Sequence, residues 1–474
     1  MDVVITLDQV SVSYTGRTTP ALRSVSLTLS AGESVCIMGA NGSGKSTLAL
    51  VLAGVIKPSS GHVRYLHDDK PETPGSGVVF QNPENQMVAT QVEKELAFGL
   101  ENQAAPQARM QAEIEKSSAL FGLQSLLGST TTCLSGGEQQ RVALASVMIT
   151  SPHLLILDEP DAFLDAESRA MLGEALKGIR TRHPDLVEVR VTQDLDAACS
   201  FSRLIMLENG EIVADESPEK ILGDTVLLRR CRVAVDEASV APAGRIAPDI
   251  ARTEPGKIQP DKIVVRGLEF GYAQNRLVLR DLSFSLSRGE VLGVAGPTGS
   301  GKTSLGLLLT GILKPQSGAI DWLREEKPLS GGPFATMALQ QPERQFFLPT
   351  CVKEIAFGPQ NNGSALRDSQ IDALLDLVGL PSADFRERDP LALSVGEQRR
   401  LACAVVLGLS KPFIVFDEPT AALDADGVAR FVALVRRIKT SCGLAVISHD
   451  HRLLAGIADR VLVLDRDGRG QISS

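Results

Sequence analysis

What this sequence of 474 residues lacks narrows it before any motif is read. It carries no excess of basic residues: 48 Lys and Arg stand against 57 Asp and Glu, a formal net charge of -9. A sequence-independent grip on nucleic acid normally needs a basic face, so nucleic acid is not an expected partner. No uninterrupted apolar run reaches the roughly 18 residues of a membrane-spanning helix. The opening Met-Asp-Val-Val-Ile also lacks the basic flank and apolar core of a signal peptide. The chain is therefore expected not to cross a membrane and to serve any membrane process through partners. The seven cysteines, at 36, 133, 199, 231, 351, 403 and 442, include no CxxC pair. An odd count without metal-ligand spacing fits a reduced, cytosolic protein. Tyrosine is scarce, with three in the chain.

What is present is a duplication. Gly39-Ala-Asn-Gly-Ser-Gly-Lys-Ser-Thr47 returns as Gly296-Pro-Thr-Gly-Ser-Gly-Lys-Thr-Ser304, each after an apolar run of strand type and before an apolar stretch of helical length. Strand, glycine-rich loop, lysine, hydroxyl and helix together make a phosphate cradle. Candidate nucleotide contacts are Gly39, Asn41, Gly42, Ser43, Gly44, Lys45, Ser46 and Thr47 in the first copy. Their counterparts are Gly296, Thr298, Gly299, Ser300, Gly301, Lys302, Thr303 and Ser304. Loop N–H groups attract phosphate, Lys45 and Lys302 add point charge, and the hydroxyls of Ser46 and Thr303 can ligate magnesium. Tyr14 and Tyr272 stand 25 and 24 positions ahead of their loops. Each is placed either to stack on a base or to pack at a strand end.

The repeat continues with Leu52-Ala-Gly-Val-Ile-Lys-Pro and Leu309-Thr-Gly-Ile-Leu-Lys-Pro, then with Gln81-Asn-Pro-Glu and Gln340-Gln-Pro-Glu. Residues 101–131 and 360–392 carry apolar spacing of three and four and are expected to form helical subdomains. Leu134-Ser-Gly-Gly-Glu and Leu393-Ser-Val-Gly-Glu each place a serine cap before a helical run. Leu154-Leu-Ile-Leu-Asp158-Glu159 and Phe413-Ile-Val-Phe-Asp417-Glu418 read as buried parallel strands that deliver acids to their carboxyl ends. The layout is a first domain at 1–225, a linker at 226–260 and a second domain at 261–474. Ile221 to Val235 can still pack on the first domain, because the Pro-, Ala- and Gly-rich composition sets in only at 236.

Five motifs in the same order in both halves make the chain resemble two fused nucleotide-binding domains of the ABC ATPase superfamily. The fold this implies is α/β: two tandem P-loop ABC ATPase domains, each with a RecA-like mainly parallel core, an antiparallel β subdomain and a helical subdomain. The implied cofactors are ATP and Mg2+. By the resemblance Asp158 and Asp417 hold magnesium at the β and γ phosphates, together with Ser46, Thr303, Gln81 and Gln340. Glu159 and Glu418 polarise the attacking water. The signature residues Ser135, Gly136 and Gly137 and their counterparts Ser394 and Gly396 contact nucleotide on the opposite domain. Head-to-tail pairing within one chain is thereby implied, and a flexible linker of roughly 25 residues reaches about 25 to 30 Å.

The halves are not equivalent. Val446-Ile-Ser-His449-Asp450 resembles the family's switch histidine, whereas the first half has Val189-Arg-Val-Thr-Gln193-Asp194. Val395 also replaces the glycine found at Gly136, and a β-branched residue restricts close approach to a ligand. The second phosphate loop, with Glu418 and His449, is expected to be the hydrolytic site. The first, with Glu159 and Gln193, is expected to be slower. The stretches Gln81-Asn-Pro-Glu-Asn-Gln86 with Glu95-Leu-Ala-Phe-Gly, and Gln341-Pro-Glu-Arg-Gln345 with Glu354-Ile-Ala-Phe-Gly, resemble those of energy-coupling-factor importers. That resemblance implies a transmembrane coupling protein and a substrate-binding membrane protein as partners, at the cytoplasmic face of the membrane. The cargo would be a vitamin or a transition-metal ion. A fused sugar-import ATPase and a soluble ABC protein acting on ribosomes are the alternatives.

Overall fold

The computed structural model describes residues 3–14, 19–65, 75–161, 164, 166–233, 259–272, 277–330, 332–421 and 423–473. The chain divides into two compact units, Met1–Val235 and Asp236–Ser474. Most of the linker foreseen from the sequence lies outside the described residues.

In the first unit the strands are β1 (Val3–Val12), β2 (Leu22–Ser30), β3 (Ser34–Met38), β4 (Ser60–Tyr65), β5 (Ser76–Val79), β6 (Leu154–Asp158), β7 (Val187–Val191), β8 (Arg203–Glu208) and β9 (Glu211–Glu216). The helices are α1 (Lys45–Leu52), α2 (Val92–Asn102), α3 (Gln107–Phe121), α4 (Gly136–Met148), α5 (Ala166–Arg182), α6 (Leu195–Ala198), α7 (Pro218–Gly223) and α8 (Thr225–Arg230). A six-stranded sheet runs β5-β6-β7-β3-β8-β9, parallel except for β9, and a separate antiparallel sheet runs β2-β1-β4.

Side-chain alternation explains the layering. Along β6, Leu154 and Ile156 face a core shared with α1 and the antiparallel sheet, while Leu155 and Leu157 face α2, α4 and α5. Both faces are covered, so the strand is apolar throughout, as a buried parallel strand requires. β2 has one wet face and alternates instead. A third cluster joins Met38 and Met206 to Leu228, Cys231 and Val233. Residues 228–233 therefore belong to the packing of the first unit. The apolar side chains at 228, 231 and 233 hold this segment against β3 and β8.

β7 breaks the apolar rule. Glu188 and Arg190 are buried in this central strand. Glu188 receives Arg180 from α5 at 2.5 and 2.9 Å, and Arg190 pairs with Asp161 at 2.9 Å. The pairing keeps two desolvated charges satisfied.

The second unit repeats the plan with β10 (Lys262–Phe270), β11 (Leu279–Ser287), β12 (Val291–Ala295), β13 (Ser317–Arg324), β14 (Lys327–Pro328), β15 (Ala335–Ala338), β16 (Phe413–Asp417), β17 (Gly443–Ile447), β18 (Arg460–Leu464) and β19 (Gly470–Ser473). Its helices are α9 (Lys302–Leu309), α10 (Cys351–Asn361), α11 (Asp368–Leu377), α12 (Ser382–Phe385), α13 (Val395–Gly408), α14 (Ala425–Ile438) and α15 (His451–Ile457). The main sheet runs β15-β16-β17-β12-β18-β19 and the antiparallel one β11-β10-β13-β14. Here β17 is wholly apolar. Both units thus show the α/β core, antiparallel sheet and helical group expected from the sequence. Among the described residues no helix is long and apolar enough to cross a membrane.

Candidate functional site

Each phosphate loop connects a central strand to a buried helix, β3 to α1 and β12 to α9. Only glycine fits at Gly39 and Gly296. Their φ values are 149° and 148°, and a Cβ would lie 2.2 Å from the Leu207 carbonyl oxygen or 2.5 Å from that of Leu464. Lys45 Nζ donates to the carbonyls of Gly39 and Ala40 at 2.8 and 3.0 Å. Lys302 Nζ does the same with Gly296 and Pro297, at 2.7 and 2.9 Å. The ammonium thus lies across the mouth of its own loop, where a phosphate would compete for it. Tyr14 Oη is 3.2 Å from Thr47 Oγ1 and Tyr272 Oη 3.0 Å from Ser304 Oγ. Both tyrosines sit beside their loops, and Tyr272 is 68% exposed, its ring packed edge-to-face with Phe270 at a centroid distance of 5.0 Å.

The acids arrive as the strands predict. Thr303 Oγ1 donates to Asp417 Oδ2 at 2.8 Å, and a Ser46–Asp158 hydrogen bond repeats this in the first unit. A hydroxyl beside a carboxylate supplies the hard oxygen donors that magnesium takes, so the residues present fit that ion. Burial lifts Asp417 to about 6. Burial also raises Asp158, while Ser46 and Lys45 oppose the rise. Glu159 and Glu418 follow with φ of 45° and 47°, a left-handed backbone rare outside glycine. Their amides donate to the carbonyls of Val191 and Ile447, both at 2.9 Å.

Beyond this shared frame the two sites differ. Glu159 is gripped by two glutamines, Gln81 Nε2 at 2.7 Å and Gln193 Nε2 at 3.1 Å, and Gln193 also donates to Asn41 Oδ1 in the phosphate loop at 2.9 Å. Burial raises the Glu159 carboxyl to about 7, against the pull of Lys45 and of the Gln193 hydrogen bond. Glu418 instead meets His449 Nδ1 at 2.9 Å and Ser448 Oγ at 3.5 Å. Gln340 lies half-buried between β15 and the short turn of helix at Pro342–Arg344.

The signature serines cap α4 and α13 with matching geometry. Ser135 and Ser394 have φ of -65° and -63°, and each forms a capping box with Glu138 or Glu397. A Cβ added at Gly136 would meet nothing within 4 Å, whereas at Gly137 it would meet Ser168 Oγ at 2.4 Å. Glycine at Gly136 is thus not required by its own unit, and Val395 is accommodated 38% exposed at the same helical position. Gly396 is buried in the first turn of α13.

Sequence reasoning passed over Glu95 and Glu354, buried in α2 and α10. Glu95 Oε2 accepts the N–H groups of Val88 and Ala89 at 2.9 and 2.6 Å, and Glu354 Oε1 accepts those of Phe347 and Leu348. Each anchors the loop that follows the glutamine. The signal was available in the Glu-x-Ala-Phe-Gly stretch common to both halves. Arg190, Asp161 and Arg399 had no such signal, because each occurs in one half only.

Comparison with known proteins agrees with this geometry. The sequence profile described as ABC transporter matches twice, at residues 22–162 and 279–421. A Bifidobacterium longum protein, provisionally named an ABC transporter ATP-binding protein, is 32% identical over 96% of this chain, which spans 64% of that relative. A Bacillus subtilis protein, provisionally named HMP/thiamine import ATP-binding protein YkoD, is 31% identical over 98% of this chain and 91% of its own length. Among solved structures, a chain in the complex of archaeal ribosome recycling factor aABCE1 with stalk protein aP1 aligns with a TM-score of 0.62 at 20% identity. That alignment covers 98% of this chain and 89% of that one, a likeness of fold. With both copies matched and relatives aligned along almost its whole length, the chain belongs to the ABC transporter family and carries two of its ATP-binding domains in tandem.

Proposed function

We propose that this chain is the ATP-hydrolysing subunit of an importer of the energy-coupling-factor type, working at the cytoplasmic face of a membrane. Its partners would be a transmembrane coupling protein and a substrate-binding membrane protein. The observation that carries the membrane coupling is an apolar surface repeated beside both candidate glutamine loops. Phe80, Val88 and Phe98 are 40, 66 and 41% exposed around Gln81. Phe347 and Phe357 are 64 and 39% exposed after Gln340, with ring centroids 4.9 Å apart. Exposed apolar patches of this kind mark docking surfaces. The similarity to a protein named for HMP/thiamine import supports a vitamin-like cargo.

In the hydrolytic step the loop amides and Lys302 hold the phosphates, and Tyr272 offers a ring to the base. Thr303, Asp417 and Gln340 would hold Mg2+, which neutralises charge developing on the phosphates. Glu418 accepts a hydrogen bond from the attacking water, with His449 and Ser448 fixing its carboxylate. The second phosphate loop, with Asp417, Glu418 and His449, would form the more active site. The first, with Lys45, Asp158, Glu159 and Gln193, would mainly bind ATP. Its glutamate is held by two amide donors, which occupy carboxylate oxygens that a water would otherwise use.

Detergent extraction followed by affinity purification of the full chain tests the importer reading. Polytopic membrane proteins should co-purify, and Phe347→Asp should release them. Recovery in a purely ribosome-bound cytosolic pool would overturn it. For the asymmetry, Glu418→Gln should abolish most ATP turnover and Glu159→Gln much less, and equal losses would refute it.

A further inference from the structure

Arg399 makes a contact that the matching position of the first unit does not make. It lies five residues after Ser394 on α13, only 4% exposed. Its guanidinium donates through Nη1 to the main-chain carbonyl of Glu418. Asp417 and Glu343 add further negative charge around it. Glu418 holds a left-handed φ of 47°, a conformation that persists only where surrounding groups enforce it. Two contacts grip its main chain from opposite sides: its amide donates to Ile447 on β17, and its carbonyl receives Arg399 from α13. Between them the carboxylate is aimed at His449 and Ser448.

The matching position in the first unit is Gln140, 2% exposed, whose amide nitrogen meets no acceptor among the described residues. A glutamine there is shorter than arginine and carries no charge. The signature helix α4 therefore lacks, at this position, the bond that α13 makes to its own strand-end glutamate.

We propose that Arg399 is a positioning residue that links the signature helix α13 to the backbone of Glu418, so that engagement of the helix N-terminus at Ser394 is felt at the water-activating carboxylate. Only the second unit has this link. The proposal rests on the reading above that Glu418 activates water and Ser394 contacts nucleotide. A charged hydrogen bond to a carbonyl is stronger than a neutral one, which suits a tether that must resist backbone relaxation. Arg399 acts through Glu418 and touches no phosphate itself, so its loss should alter the rate and leave nucleotide affinity in place.

Steady-state ATP turnover of the full chain with Mg2+ tests this, together with equilibrium binding of a fluorescent ATP analogue and thermal unfolding. Arg399→Gln should lower kcat about tenfold, with KM and analogue affinity within about twofold of wild type. Arg399→Lys, which keeps one charged donor, should recover part of that rate. Ser394→Ala combined with Arg399→Gln should cost no more than the larger single loss, because both act along one link. Ser135→Ala combined with Gln140→Ala should multiply independently. An unchanged kcat in Arg399→Gln, or multiplicative losses at Ser394 and Arg399, overturns the proposal. If Arg399→Gln loses its unfolding transition, Arg399→Lys decides: non-additivity with Ser394→Ala supports the link, and additivity overturns it. Failure of the underlying reading looks different, since Glu418→Gln would then turn over ATP at the wild-type rate.

Discussion

Glu159→Gln should stabilise the nucleotide-free protein, and the gain should depend on pH. Burial lifts this carboxyl from an ordinary 4.5 to about 7 in the folded chain. Between those values the native state holds a proton that the unfolded state has released, so its contribution is full below 4.5 and is lost as pH rises through about 7. The lift corresponds to about 3 kcal/mol at pH 8 and to about 1 kcal/mol or less at pH 5. A neutral isostere removes the charge that must be buried at high pH. Gln81 and Gln193 now donate to the carboxylate, and one must turn its amide to offer a carbonyl to the new NH2 group. In a unit of this size 3 kcal/mol amounts to a Tm rise of about 5–10 °C. Differential scanning calorimetry in EDTA, without nucleotide, should show that rise at pH 8 and little of it at pH 5. A variant whose Tm tracks the wild type equally at both pH values would refute the assignment of a proton to Glu159 near neutrality.

Three further outcomes follow from the packing. Asp161→Ala strands the buried Arg190 charge and should cost about 3–5 kcal/mol in urea unfolding. Replacing both partners by apolar side chains, Asp161→Leu with Arg190→Met, should recover most of it; a double variant as unstable as the single one would refute the account. Native-state alkylation read by mass spectrometry should label the exposed Cys133 and Cys199 and spare Cys36 and Cys403, whose thiols burial pushes up to about 12. Rapid labelling of Cys403 would show that α13 is not packed as described. Glu354→Ala leaves the Phe347 and Leu348 amides without their acceptor and should cost about 2 kcal/mol or more. Hydrogen exchange should speed up at those two amides, and unchanged protection would refute the anchor.

The sequence by itself determined most of the frame. Phosphate loops, capped signature helices and strand-end acids are local patterns: a few consecutive residues set the backbone, and the duplication fixed their order twice. Gly39, Ser135 and Asp158 could be assigned roles because neighbours along the chain supply their context. It also showed that the two switches differ, since Gln193 and His449 occupy matching positions. Other features depended on contacts between residues distant in the chain, which no local pattern records. The charges of β7 are tolerable only because α5 and Asp161 reach them across the fold. The raised pKa of Glu159 arises from burial, and Gln81, 78 positions away, becomes its partner only when β5 and β6 lie side by side. The structure also showed that a Cβ at Gly136 would meet open space within its own unit, which the sequence does not record. Arg399 gained meaning last, because a lone arginine after a signature motif reads as a surface charge until tertiary packing buries it against the carbonyl of Glu418.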